Sequence, residues 1–478
     1  MNTSMQSRFG RALYEALPEV YRTRDKQDKN SVAHLAAYLD SCGTLLDAIY
    51  NSLDQRYKDC FPETCQEWLL PYFAELLGAS TLSPHIEGRR KEITHAIAWR
   101  QSKGSLSTIA QIAKEIGCFE KLVMQEGWKR VARTARVDGS FVSPTVVNLR
   151  KKIPQDFVDH RNTAVCSVDV RKPDWRQGHA NPHAVLLYAS PYPGFFANEE
   201  VVHFKWKNVT KNASEDNVDN WFEKREDSIL PSEFMKMSFD KNTGIWHFFK
   251  KPGVTQTIHI KGSKKLKAAD SSNPSFQYHF TELNLDDELK VTKGTRLVLE
   301  KLAARKVVIE GSAASGIPTL IARDCLLQNV IARTSLVQLI YCTAMDNLVT
   351  DYVEASDCIF TGTLHEDLKQ NNPPRNDHVR YSRHAQEDSF GDFVGNTTEV
   401  PVFYTREWGE PGCGVIHPIS PKSICNGAED GGEMGAYHHR AYVLAWEAVT
   451  RKLLEYLPVG MNAVLIPDEI LRSTARTL

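Results

Sequence analysis

Between residues 31 and 54, apolar side chains recur at three- and four-residue steps: Val32, Leu35, Ala36, Leu39, Leu46, Ile49 and Leu53. That spacing puts them on one stripe of an α-helix, and Asp40, Asp47, Asn51 and Asp54 fall off it. Ser31 is the expected N-cap. The stripe lasts about six turns, more than two short helices can cover comfortably. Either an internal core or helices from another chain must bury it.

Shorter helical segments follow. One spans about 65–77, from Trp68 to Leu77, with Gly78 suited to a left-handed C′ position. Another, about 87–102, carries Ile93, Ile97 and Arg100. Lys103-Gly104-Ser105 breaks the chain. Ser105 then caps a helix whose stripe is Leu106, Ile109, Ile112 and Ile116, ended by Gly117. Near residue 120 the pattern changes to short apolar runs that read as strands: Phe141 to Val147, Ala164 to Val170, Ala184 to Tyr188 and Val201 to Trp206. Residues 207–245 are charged and weakly periodic, an expected exposed excursion. Ile245 to Phe249 and Thr255 to Ile260 suggest a hairpin around Pro252-Gly253.

Residues 295–365 contain an internal repeat. Steps of eleven link Val298, Ile309, Leu320, Ile331, Cys342, Val353 and Leu364, and a second phase links Leu326, Val337, Leu348 and Ile359. About eleven residues per side and twenty-two per coil suit a stacked β-solenoid; chance alternation in a sandwich would look similar. Asp324, Asp346 and Asp357 share a third phase and read as turn residues. The region 366–440 is rich in loops. A last helix, 438–456, aligns Val443, Trp446, Val449, Leu453 and Leu454, and Ala463 to Ile466 can add a strand.

At 478 residues the chain exceeds one ordinary core. The expected class is α+β multidomain. Residues 1–125 form a helical docking bundle, 126–290 a β-rich domain with the excursion 207–245, 291–365 a β-solenoid-like stack, and 366–478 a loop-rich cap with one amphipathic helix. With 58 basic and 59 acidic residues, the net charge of −1 argues against a nucleic-acid or polybasic membrane binder. No apolar run reaches the eighteen residues a spanning helix needs, and Met1 to Gly10 is polar, so cytoplasmic assembly is expected. The ten cysteines show no CxxC spacing and are expected to be reduced, with several buried.

Motifs for chemistry are weak. Glu429, Asp430, Glu433, His438 and His439 could gather around a divalent cation, yet their spacing matches no known ligand pattern. A glycine loop whose carboxylates cap the next helix explains them better. His179 and His183 with Asp174 could form an acid–base group, but read first as hydrogen-bonded loop structure. Cys413 sits in a turn. GxGxxG, GxxxxGK[ST] and GxSxG are all absent. The expectation is therefore no catalytic residue, no cofactor and no metal. The loop from Tyr188 to Phe196 reads as packing or protein contact.

The N-terminal quarter resembles the phage tail protein I family. The resemblance rests on Leu17-Pro18-Glu19-Val20-Tyr21-Arg22, the long stripe helix, Cys60-Phe61-Pro62, Trp68-Leu69-Leu70-Pro71, Leu76-Leu77-Gly78, Arg89-Arg90, Ala96-Ile97 and Lys103-Gly104-Ser105. It implies a structural wedge subunit of a contractile-tail baseplate, bound to two copies of a J-like partner through a helical bundle around the hub. Leu35, Leu39, Leu46, Ile49 and Leu53 are the candidate interface residues. Hub or spike proteins and sheath-proximal baseplate proteins are the other expected neighbours. Segments at 355–362, 379–383, 427–437 and 455–460 resemble extensions of tail proteins from contractile injection loci. The alternative expectation is a β-solenoid that binds or cleaves glycans. Cleavage is disfavoured because the rung aspartates lack a second carboxylate column.

Overall fold

The computed structural model describes residues 7–27, 33–119, 121–131, 168–197, 201–207, 218–223, 230–240, 244–266, 277–292, 294–310, 318–362, 378–385 and 394–467. The expected Ser31 cap, the strand at 141–147 and most of the strand at 164–170 lie outside them; Val168 and Val170 are exposed and not in a strand. The protein is α+β and divides into two compact units. One comprises residues 1–81 and 86–101; the other comprises 82–85 and 102–478.

The first unit contains α1 (Arg8–Ala16), α2 (Glu19–Gln27), α3 (His34–Lys58), α4 (Leu70–Leu77) and α5 (Ile86–Gln101). Its helix starts are capped by neighbouring elements. Asp25 accepts from the N–H groups of Leu35 (2.9 Å) and Ala36 (3.1 Å), filling the role expected of Ser31. The Ser7 N–H donates to Asp40 (2.9 Å), and Arg8 and Phe9 donate to Asp47 (3.1 and 3.3 Å). Thus α1 lies on the polar side of α3. The two backbones approach so closely at Gly10 and Gly43 that a Cβ on Gly43 would sit 2.2 Å from the Gly10 nitrogen. Gly78 ends α4 in the left-handed region (φ 58°), as expected. The Arg100 guanidinium donates to the Leu77 carbonyl at the same helix end (2.7 Å). Cys65, Leu70, Ala74 and Ile93 make the small core between α4 and α5.

The helical domain was expected to reach residue 125, but α6 (Leu106–Gly117) belongs to the second unit. Its Ile109, Ile112 and Ile116 are buried there, and it packs on the last helix, α9 (Tyr442–Tyr456). Ser105 caps α6 as expected, accepting from Thr108 N–H (3.3 Å). Cys118, not Gly117, takes the left-handed C-cap (φ 51°). The helix expected from 438 begins at Tyr442, after a 3-10 turn over His438–Arg440. A small sheet orders β1 (Leu122–Glu126), β2 (Ala184–Ala189) and the terminal β18 (Asn462–Pro467).

The remaining strands join in one sheet: β3 (Val201–Lys205), β4 (Met235–Asp240), β5 (Ile245–Lys250), β6 (Thr257–Lys261), β7 (Lys264–Leu266), β8 (Gln277–Thr281), β9 (Asn284–Val291), β10 (Arg296–Glu300), β11 (Ala303–Ile309), β12 (Leu320–Arg323), β13 (Leu326–Ile340), β14 (Thr343–Ala344), β15 (Leu348–Ser356), β16 (Ile359–Phe360) and β17 (His378–Arg380). The boundaries expected at 290 and 365 are therefore not breaks. β9 pairs with β11, and β15 pairs with β17. Pairing is parallel except for β4–β5. The expected 245–260 hairpin does not form: β5 pairs with β4 and β8, whereas β6 pairs with β3 and β9. The 207–245 excursion is not wholly exposed either. Val218, Phe222, Met235 and Met237 are core residues.

Two ladders alternate along the chain. Tyr278, Leu297, Leu320, Val337 and Val353 stack in one; Leu285, Ala304 and Leu327 follow the other, with Leu327 paired to Ala344. Successive partners in the first are 19, 23, 17 and 16 residues apart, so the coil is uneven and no constant step of eleven describes it. Constancy lies at the corner between ladders. Glu282, Lys301, Asp324, Tyr341, Asp357 and Tyr381 all have φ between 47° and 60°. Each donates its N–H to the next rung, as Lys301 does to the Arg323 carbonyl (3.0 Å) and Asp324 to that of Ile340 (3.1 Å). The residue after each corner is buried: Leu283, Leu302, Cys325, Cys342, Cys358 and Ser382. All three aspartates lie in bends as expected, Asp324 and Asp357 at left-handed corners and Asp346 between β14 and β15.

Candidate functional site

The five candidate interface residues lie on α3. Leu35 and Leu39 are half-buried, whereas Leu46, Ile49 and Leu53 are 41%, 59% and 59% exposed. Leu45 and Tyr57 extend that exposed apolar surface, and α4 with its preceding turn exposes Trp68, Tyr72 and Leu76. Internal packing of α3 uses its other side, where Ala36 and Gly43 are buried and Asp40 and Asp47 bind the start of α1.

The acidic–histidine loop does not converge. His438 sets Nε2 against Asp430 (2.9 Å), hydrogen-bonds the Glu433 carbonyl through Nδ1 (2.8 Å), and stacks on Tyr341 (3.8 Å between centroids). His439 turns toward Asp324 (3.8 Å), and Glu429 N–H donates to Asp357 (2.7 Å). The loop thus touches three successive corners of the stack. Glu433 caps α9, accepting from Tyr442 (3.4 Å) and Val443 (3.0 Å) N–H groups. Burial pushes its carboxyl up to about 7 despite those two bonds. His179 bonds the Asp174 backbone carbonyl (2.9 Å), while the Asp174 carboxylate closes its own turn, so they form no acid–base pair. Burial raises the Cys413 thiol to about 12, which leaves it inert as a nucleophile near neutral pH. The loop from Tyr188 to Phe196 packs against Tyr437 through Tyr192 and Phe195.

Another cluster lies where the stack begins. β3 reads Val-Val-His-Phe-Lys and β6 reads Thr-Ile-His-Ile-Lys. Alternation buries Val202, Phe204, Ile258 and Ile260 and sends the histidines to the other face, where His203 and His259 are direct ladder partners. On β9, two residues oppose one on β11: the register slips between Ala304 and Lys306, leaving Asp286 and Asp287 opposite Arg305. Such a bulge re-aims side chains. Asp286 accepts from His259 Nδ1 (2.7 Å), with its other oxygen 4.0 Å from His203 Nδ1.

The ligand-capable atoms of His203, His259 and Asp286 lie within 4.8 Å of one another, close enough for a small cation on distance alone. Proton positions oppose that use. Asn284 accepts from Ala303 N–H (2.9 Å) and donates to the Phe195 carbonyl (2.7 Å), which fixes its amide orientation. Its Nδ2 therefore faces His259 Nε2 as a donor (3.3 Å), and the His259 proton belongs on Nδ1, toward Asp286. A cation at Nδ1 would have to displace that proton to Nε2, against the Asn284 amide. The arrangement instead fixes the Asp286 carboxylate beside a cleft of about 420 Å³ that it lines. Phe196, His203, Lys261, Asp287, Arg305 and Trp408 also line this cleft. The repeated apolar-His-apolar-Lys pattern of β3 and β6 was a usable sequence signal for it.

No known protein family, characterised protein or solved structure matches this chain. Among the described residues, no helix is long and apolar enough to cross a membrane.

Proposed function

We propose that this chain is a structural, non-enzymatic subunit of a baseplate wedge in a contractile, phage-tail-like injection particle. It is assembled in the cytoplasm and docks through its N-terminal helices to two copies of a J-like partner. Hub or spike and sheath-proximal proteins are its other neighbours. The supporting observation is the exposed apolar side of α3, with Leu45, Leu46, Ile49, Leu53 and Tyr57 outside the packing against α1. Exposed apolar surface of this extent on one helix marks a binding face. Its length suits a partner helix inserting side chains at three- and four-residue steps. The resemblance over residues 10–125 supplies the partner's identity.

The test is co-expression with a J-like protein, followed by native mass measurement. A complex with one copy of this chain and two of the partner is expected. Ile49→Asp with Leu53→Asp abolishes the complex and leaves the far-ultraviolet spectrum of the free chain unchanged. A complex that survives both substitutions at full stoichiometry refutes docking through α3.

A further inference from the structure

We propose that the cleft over β3, β6 and β9 binds an acidic saccharide unit, with its anionic group between Lys261 and Arg305, its hydroxyls on Asp286 and Asp287, and a sugar face on Trp408. The inference does not rest on the docking reading. It agrees with the glycan-binding alternative but uses residues other than the rung aspartates.

Four observations carry it. First, Lys261 and Arg305 line the cleft, and among the described residues neither side chain has an ion-pair or hydrogen-bond partner. On the same stack, Lys265, Lys290 and Lys306 are paired with Glu310 or Glu288. Second, the carboxylates beside them are held in place. Asp286 is fixed by His259, and Asp287 accepts from Gly262 N–H (2.6 Å). Each keeps one oxygen for a donor such as a sugar hydroxyl. Third, Trp408 is half-buried and braced edge-to-face by Phe196 (5.1 Å between centroids), which gives the cleft a rigid aromatic wall. Fourth, the β9 bulge places Asp286, Asp287 and Arg305 together, and the volume of about 420 Å³ lies within the range of small-ligand sites.

Charge decides the ligand class. Lys261 and Arg305 balance Asp286 and Asp287, so the cleft is close to neutral. A polyphosphate would meet two carboxylates, and an apolar ligand would strand four charged groups. A ligand with one anionic group and several hydroxyls satisfies both cations and both acids. Uronic and sialic acids have that composition.

The test is ligand-observed NMR on the full chain with D-glucuronate, D-galacturonate and sialic acid, with D-glucose as the uncharged control. Saturation transfer from at least one acidic sugar is expected, with at least fivefold less from glucose. Arg305→Ala should weaken the acidic sugar at least tenfold. Trp408→Ala should remove transfer to the ring protons. Arg305→Lys, which keeps the charge, should retain most binding and serves as the folding control. Failure of all three acids to bind overturns the proposal. So does equal binding of glucose, or zinc binding that His203→Ala abolishes, which would make the cleft a metal site.

Discussion

The helical unit and the β stack dispose of apolar surface in opposite ways. In the stack, Val202, Phe204, Ile258, Ile260, Phe280, Leu297 and Leu299 face inward, and Lys265, Glu288, Lys290, Lys306 and Glu310 form ion pairs outside. In the helical unit, α3 turns Asp40 and Asp47 toward α1 and leaves Ile49 and Leu53 exposed. The same physical rule, that apolar area leaves water, is largely satisfied within the stack and left open along α3. A chain built this way carries a closed scaffold and an open apolar helix face.

The largest test of that contrast is a truncation inside the stack. Phe280 is fully buried and stacks on Phe248 at 5.0 Å between centroids. Phe280→Ala should cost about 3–5 kcal/mol, read as a lower denaturant midpoint for the β signal. A cost below about 1 kcal/mol would show that the stack is no more tightly packed than the helical unit.

Next comes the buried acid of the stack's cap. Glu433 has a folded-state pKa of about 7, raised by burial above the ordinary 4.5. Its stabilising contribution is therefore complete below about pH 4.5 and is lost as pH rises through 7. A difference of that size corresponds to about 3 kcal/mol. Glu433→Gln keeps an oxygen for the α9 N–H groups and removes the titration. Thermal melts of wild type should lose stability between pH 5 and 8 relative to Glu433→Gln. Parallel pH profiles for the two proteins would show that Glu433 does not titrate in this window.

Helices were legible in the sequence because both their periodicity and their punctuation are local: Gly78 and Ser105 ended and began helices where expected. The direction of the α3 stripe was not legible, because Asp40 and Asp47 cap a helix more than thirty residues earlier in the chain. In the stack, the strand runs were visible but their period was misjudged. Rungs of 16 to 24 residues share a corner, not a length. That corner is written as Glu282-Leu283, Lys301-Leu302, Asp324-Cys325, Tyr341-Cys342, Asp357-Cys358 and Tyr381-Ser382. A left-handed residue followed by a small or aliphatic buried one is invisible to a search for a fixed step. The cleft escaped for a related reason. His203 and His259 are 56 residues apart, and the β9 bulge that brings in Asp286 depends on pairing with β11.

A third test asks how closely α1 and α3 are joined. Adding a methyl group at Gly43 would drive it into the Gly10 backbone. Gly43→Ala should cost about 2 kcal/mol through overpacking and release the α1 amides to hydrogen exchange. The amides of the stack should exchange as before, since Gly43 belongs to the other compact unit. Faster exchange in both would mean that the two units unfold together.

The smallest expected effect bears most directly on function. Ile49 and Leu53 are each 59% exposed, so Ile49→Ala or Leu53→Ala should change the stability of the free chain by less than about 0.5 kcal/mol. In the proposed complex with a J-like partner the same truncations should each raise Kd by about tenfold or more, the loss of roughly 1.4 kcal/mol at a buried contact. Leu299→Ala in the stack should behave in the reverse manner, with large loss of stability and little change in Kd for whatever chain remains folded. A titration in which Ile49→Ala destabilises the free chain by 2 kcal/mol or more would place that side chain in an internal core. The contrast between a closed stack and an open helix would then fail.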